Sequence, residues 1–125
     1  MIFVTGPMYS GKKEFICSSL NWSGEELRRY AVWDVQELAF QAEDLEECAR
    51  TLMSRRVVIA SEVGAGIVPA DPEERLFREK AGRLSCLLAQ RAELVIRVCC
   101  GLPQVLKGDL SQLRELAIDR RQNDE

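Results

Sequence analysis

The first apolar run of the chain, Ile2-Phe3-Val4-Thr5, leads directly into Gly6-Pro7-Met8-Tyr9-Ser10-Gly11-Lys12, a glycine, four residues, then glycine and lysine. That spacing lets successive backbone N–H groups and the N-terminus of a following helix surround a polyphosphate, while the lysine reaches the outer phosphates. The motif lies between a strand and a helix, as the mechanism requires. It predicts a strand over 2–5, a phosphate-binding turn, and a helix from Lys12 to about Leu20. Gly6, Pro7, Met8, Tyr9, Ser10, Gly11, Lys12 and Lys13 are the expected nucleotide-binding residues.

The rest of the sequence extends this into an α/β pattern. Apolar segments with strand character alternate with helical patterns of ten or more residues, the signature of βαβ units and a mostly parallel sheet. The strands are expected at Tyr30–Asp34, Val57–Ala60 and Leu94–Cys99, with a short edge strand at Val105–Lys107. Helices are expected from about Ala42 to Ser54, from Glu73 to about Arg91 and from Leu110 to Arg121. In the first of these, Leu45, Cys48, Ala49 and Leu52 share one face, which is expected to pack on the sheet. A length of 125 residues suits one domain, taken as residues 1–121 with a frayed tail over 122–125.

Composition narrows the chemistry. Seventeen basic residues against twenty acidic ones leave a net charge of −3, too balanced for a nucleic-acid footprint. No apolar stretch is long enough for a membrane span, and the opening lacks a signal peptide's succession of residues, so a cytoplasmic location is expected. The five cysteines lack C-x-x-C spacing and are expected to be reduced core thiols. There is no histidine, which excludes a Ser-His-Asp triad, a phospho- or nucleotidyl-histidine and a His-ligated metal within these residues.

Three further features bear on the site. Position 13, where the phosphate loop wants Ser or Thr to place a hydroxyl on Mg2+, holds Lys13, whose ammonium repels a cation and attracts phosphate. Asp34 ends the second strand, where such folds hold magnesium through water. It is the candidate metal residue, with Glu37 close behind it and helix capping as the alternative. Glu62-Val63-Gly64-Ala65-Gly66 follows the third strand at its carboxyl end, where open α/β sheets place ligands. Glu62 suits a hydroxyl-bearing substrate or a metal, and Gly64 and Gly66 permit close backbone approach. Glycine content alone leaves a ligand loop and a plain connection both open.

With these segments in place the chain resembles the adenosylcobinamide kinase and adenosylcobinamide-phosphate guanylyltransferase family of cobalamin biosynthesis. The opening strand with Ser10-Gly11-Lys12 is shared by many phosphate-loop proteins. Glu62 to Pro69, then Arg75, Phe77-Arg78 and Ala81-Gly82-Arg83-Leu84, are similar to the family's more specific signature segment and following helix. Leu94 to Gly101, with Leu102-Pro103 and Leu106-Lys107, are similar to its last core strand and ending. The resemblance implies a P-loop NTPase-like three-layer fold and a purine nucleotide, ATP or GTP, as phosphoryl donor. The acceptor would be a cobinamide-type corrinoid, with Mg2+ weakened by Lys13. It also implies catalytic roles for Lys12, Asp34 and Glu62, a substrate loop of Glu62, Val63, Gly64, Gly66 and Arg83, and a homo-oligomer, a trimer by resemblance. Trp22, Trp33 and Phe40 are candidate interface residues. The family's guanylylated histidine has no counterpart here, so loss of the guanylyltransferase step is expected. A non-catalytic nucleotide- or corrinoid-binding role and a kinase with another acceptor are the alternatives.

Overall fold

The computed structural model describes residues 1–63 and 71–118. Gly64, Gly66 and the rest of 64–70 lie outside the described residues, as does the frayed tail expected over 122–125. Five strands form one sheet in the order β2-β3-β1-β4-β5. They are β1 Ile2–Thr5, β2 Ala31–Val32, β3 Val57–Ile59, β4 Leu94–Cys99 and β5 Leu102–Lys107. Strands β1 to β4 run parallel, with Ile2 opposite both Val57 and Leu94, and β5 is antiparallel to β4.

Period-two alternation divides the core into two faces. Ile2, Val4, Val57, Ile59, Leu94 and Ile96 pack against Ile16 of α1 (Lys12–Leu20), Leu27 of α2 (Gly24–Tyr30), and Leu113 and Ala117 of α6 (Leu113–Ala117). On the opposite face Phe3, Val58 and Val95 pack against Ala39 of α3 (Gln36–Gln41), Ala49 and Leu52 of α4 (Leu45–Leu52), and Ala81, Leu84 and Leu88 of α5 (Pro72–Arg91). The result is three layers with apolar strands in the middle, the expected α/β class and architecture. The predicted Leu45, Cys48, Ala49 and Leu52 face does pack on the sheet.

Several element boundaries need correction. Tyr30 belongs not to a strand but to the last turn of α2, an unforeseen helix. Its start is fixed by a capping box in which Ser23 Oγ accepts from Glu26 N at 3.2 Å and Glu26 Oε1 accepts from Ser23 N at 3.1 Å. The Tyr30 ring then stacks 5.4 Å from Trp22, with the Arg56 guanidinium 4.1 Å above it. Replacing Ser23 by Ala is expected to cost about 1 kcal/mol, read as a lower urea midpoint with an unchanged slope. Strand β2 stops at Val32, because Asp34 turns the chain out of the extended region with φ 56°.

The helix expected from about Ala42 divides into α3 and α4, because Asp44 is extended and caps α4 by accepting from Glu46 N and Glu47 N. The helix expected from Leu110 to Arg121 opens as a 3-10 turn, Leu110–Gln112, and continues as α6 to Ala117, while 119–121 lie outside the described residues. The edge strand is longer than expected. A two-residue turn, Cys100-Gly101, joins β4 to β5, both residues at positive φ as tight hairpins demand. Pro103 is tolerated there because β5 is an edge. The cysteine expectation is also corrected: Cys86, Cys99 and Cys100 are exposed, and only Cys17 and Cys48 are partly buried.

Candidate functional site

Parallel strands end at the same edge of a sheet, so β1, β2, β3 and β4 bring four widely separated segments together. They are the loop after Thr5, Trp33-Asp34, Ser61-Glu62 and the Cys100-Gly101 turn. Gly6 follows β1 with φ 150°, and a Cβ there would lie 2.2 Å from the Val98 carbonyl oxygen. The chain then rises through Met8 and Tyr9, the latter almost wholly in solvent with φ 58°. It returns at Gly11, φ 89°, into the first turn of α1. Among the described residues no side chain caps α1, so its leading N–H groups face the turn without a side-chain acceptor. The hairpin tip braces this turn: Gly101 N donates to Ser10 O at 2.8 Å.

Lys12 is the charged group at the centre of this loop. Only 7% of it is exposed, and its Nζ donates to Pro7 O at 2.6 Å, with Gly6 O and Ser10 Oγ each at 3.4 Å. Burial pulls its ammonium below the ordinary lysine range, while the carboxylates of Asp34, Glu62 and Glu14 pull it back. Lys12, Asp34 and Glu62 therefore share one electrostatic neighbourhood, although they come from the start of α1 and from two separate loops.

Glu62 is fixed twice. Its backbone N donates to Gly6 O at 2.8 Å, and its carboxylate receives two bonds from Arg97, Nε at 2.7 Å and Nη2 at 2.9 Å. The Arg97 hydrogen bonds and charge, with Lys12 beyond, hold the Glu62 carboxyl below its ordinary value of 4.5 against the opposing effect of burial. Glu62 in turn raises the Arg97 guanidinium pKa. Arg97 escaped the sequence reading, because its partner lies on another strand's loop. The available signal was a single charge in the apolar run Leu94–Cys99. Gln36 was missed as well; buried in α3, it accepts from Ser61 N at 2.9 Å and tethers the loop after β3.

A carboxyl whose folded-state pKa is lowered adds stability above its ordinary pKa and loses it as pH falls through the lowered value. Arg97→Leu is therefore expected to melt below the parent at pH 7, with the gap closing as pH drops below 4.5. Melting curves across that range test this, and a gap independent of pH would mean that Arg97 contributes by packing alone.

The remaining sequence-predicted residues fall elsewhere. Asp34 is exposed at the end of β2 and Glu37 is exposed on α3. Lys13 is exposed, with its Nζ 5.1 Å from the Trp33 ring centroid. Val63 packs against the α3–α5 face of the core. Arg78 lies 3.7 Å from Glu74 and Arg83 lies 3.8 Å from Glu79, pairs one turn apart on α5, and Arg75 is exposed. Arg83 lines a groove between α4 and α5 with Glu43, Glu46 and Lys80, which places it with α4 rather than with the loop Gly6–Lys12. Phe40 is exposed, and Trp22 and Trp33 are half-buried against the α1 face.

The family profile described as cobinamide kinase / cobinamide phosphate guanyltransferase matches residues 17–106, beginning just past the loop. The chain is also similar to the bifunctional adenosylcobalamin biosynthesis protein CobP of Pseudomonas aeruginosa, 37% identical over 76 residues, which is 61% of this chain and 44% of the relative. The match thus spans under half the length of that curated relative. Among the described residues no helix is long and apolar enough to cross a membrane.

Proposed function

The chain belongs to the cobinamide kinase / cobinamide phosphate guanyltransferase family of cobalamin biosynthesis, and on that premise we propose that it binds ATP or GTP on the loop Gly6–Lys13. There it would direct phosphoryl transfer to the aminopropanol hydroxyl of adenosylcobinamide. The observation that carries this is Lys12, buried at the centre of a turn at the end of β1 and electrostatically coupled to Asp34 and Glu62. In the transfer, the acceptor oxygen bonds to the γ-phosphorus, the β–γ bridging bond breaks, and the nucleoside diphosphate leaves. Lys12 and the loop amides neutralise the charge on the transferring group, which is where positioning and electrostatics do most in this chemistry. Asp34, exposed at the mouth, orients the hydroxyl and takes its proton. Glu62, already ion-paired, serves as an anchor in the acceptor loop more readily than as a base.

These 125 residues contain no histidine, so the reading assigns them no guanylyl transfer through one. A second reading, nucleotide binding without turnover, is favoured by Lys13 at the position where the loop wants a hydroxyl. Incubating the protein with adenosylcobinamide and γ-labelled ATP or GTP separates the two. Label on the corrinoid supports the kinase, and nucleotide binding without label transfer supports the second reading. Self-association belongs to the same proposal: β5 is exposed along its length and carries Leu102, Val105 and Leu106. A clean monomer by sedimentation equilibrium would count against it.

A further inference from the structure

Loops of this type imply a magnesium ion held by the hydroxyl that follows the lysine and by an acidic strand end. The residues present here do not fit one. Lys13 occupies the hydroxyl position, and an ammonium donates hydrogen bonds and cannot coordinate a cation. Among the described residues no group of three or more Cys, Asp or Glu side chains is placed to hold a metal. Asp34 alone stands at the expected acidic position.

The structure also shows what Lys13 does instead. Its ammonium lies 5.1 Å from the centroid of Trp33, a half-buried ring that follows β2 and immediately precedes Asp34. A cation over an indole face is attracted by the ring quadrupole, so the side chain has a preferred seat on the β2 side of the loop. The seat is close enough for Lys13 to oppose protonation of Lys12 through space. Lys12, Lys13 and Arg97 thus stand against the carboxylates of Asp34, Glu62 and Glu14, so the Lys13 ammonium is the charge that brings this cluster to balance before any ligand arrives. An added divalent cation would meet the Lys13 ammonium at short range, whereas a free polyphosphate would be drawn to it.

We propose that Lys13, seated on Trp33, is the loop's built-in counter-cation, so that the site takes a purine nucleoside polyphosphate as the free anion rather than as its magnesium complex. This rests on the reading of Gly6–Lys13 as a nucleotide site, and the test separates the two claims. The parent protein and Lys13→Ser are titrated calorimetrically with GTP and with ATP, once in EDTA and once in excess Mg2+. Lys13 is exposed, so the variant is expected to fold, as checked by its melting curve.

The parent is expected to bind within about threefold equally in the two buffers. Lys13→Ser is expected to bind at least about tenfold more weakly in EDTA, the loss of one charge-assisted contact, and to recover in Mg2+. A Trp33→Leu variant, which leaves the charge but removes its seat, is expected to fall between them. Parent binding that requires Mg2+, or a Lys13→Ser variant that matches the parent in EDTA, overturns the counter-cation role. Absence of parent binding in both buffers overturns the nucleotide reading beneath it.

Discussion

Lys12→Ala is expected to lose nucleotide binding by roughly 10² to 10⁴-fold, the equivalent of one or two charge-assisted hydrogen bonds to phosphate, while the protein remains folded. Both halves of this expectation follow from where Lys12 sits. Its ammonium is buried in the turn and satisfied by Pro7 O, Gly6 O and Ser10 Oγ, contacts that a phosphate would replace in the proposed site. The fold has little to lose with it. Burial lowers the Lys12 pKa, and a lysine with a lowered folded-state pKa costs stability while protonated, a cost relieved as pH rises toward the ordinary 10.5. The parent should therefore gain stability relative to Lys12→Ala as the solution becomes alkaline. Calorimetric titration and melting from pH 7 upward check both parts. A variant that binds like the parent would remove Lys12 from the site.

Gly6→Ala is expected to be the most destabilising single change in the loop, by about 3 kcal/mol or more, a large share of the about 5–15 kcal/mol that holds a domain of this size together. The added Cβ would lie 2.2 Å from Val98 O and 3.1 Å from Ser10 Oγ at φ 150°. The serine can rotate but the carbonyl cannot, because β4 is locked to β1 from Ile2 opposite Leu94 to Thr5 opposite Arg97. Either the sheet parts or the loop lifts, and a lifted loop would also weaken the proposed nucleotide binding. Gly82→Ala provides the contrast. It is helical, a Cβ there would meet nothing within 4 Å among the described residues, and the change should stabilise α5 by about 0.5–1 kcal/mol. Urea unfolding of the two variants beside the parent reads both effects.

The parts of the fold readable from sequence were those in which local pattern and tertiary role coincide. β4 and α5 are long for their kind, β1 and α1 flank the glycine motif, and α4 carries a clear apolar face, so their neighbours act on them in the direction the sequence suggests. The elements not foreseen depend on specific contacts. α2 is short and highly charged, and is secured by its capping box and by the stacking of Tyr30 against Trp22 and Arg56. The break between α3 and α4 rests on the extended backbone of Asp44. The hairpin at Cys100-Gly101 has no Asn-Gly or Asp-Gly signal, and a non-glycine residue at positive φ is hard to anticipate.

The site divides in the same way. That the loop Gly6–Lys12, Asp34 and Glu62 would share an edge follows from the βαβ order, since parallel strands finish on one side. That Arg97 would clamp Glu62, or that Trp33 would seat Lys13, depends on which side chains face each other across strands and loops far apart in sequence. Spacing along the chain carries no such information. The substitution at position 13 was visible at once, but its consequence required Trp33 to be located.

An amide ¹H–¹⁵N NMR titration with GTP and with ATP tests, residue by residue, whether Gly6–Lys13 holds a nucleotide's phosphates. Saturable shifts are expected at Tyr9, Ser10, Gly11, Lys12 and Lys13, and at Gly101, which bonds to the loop, with Glu46 and Arg83 in the α4–α5 groove unmoved. Shifts confined to that groove, or none in the loop at saturating nucleotide, would contradict a phosphate site there.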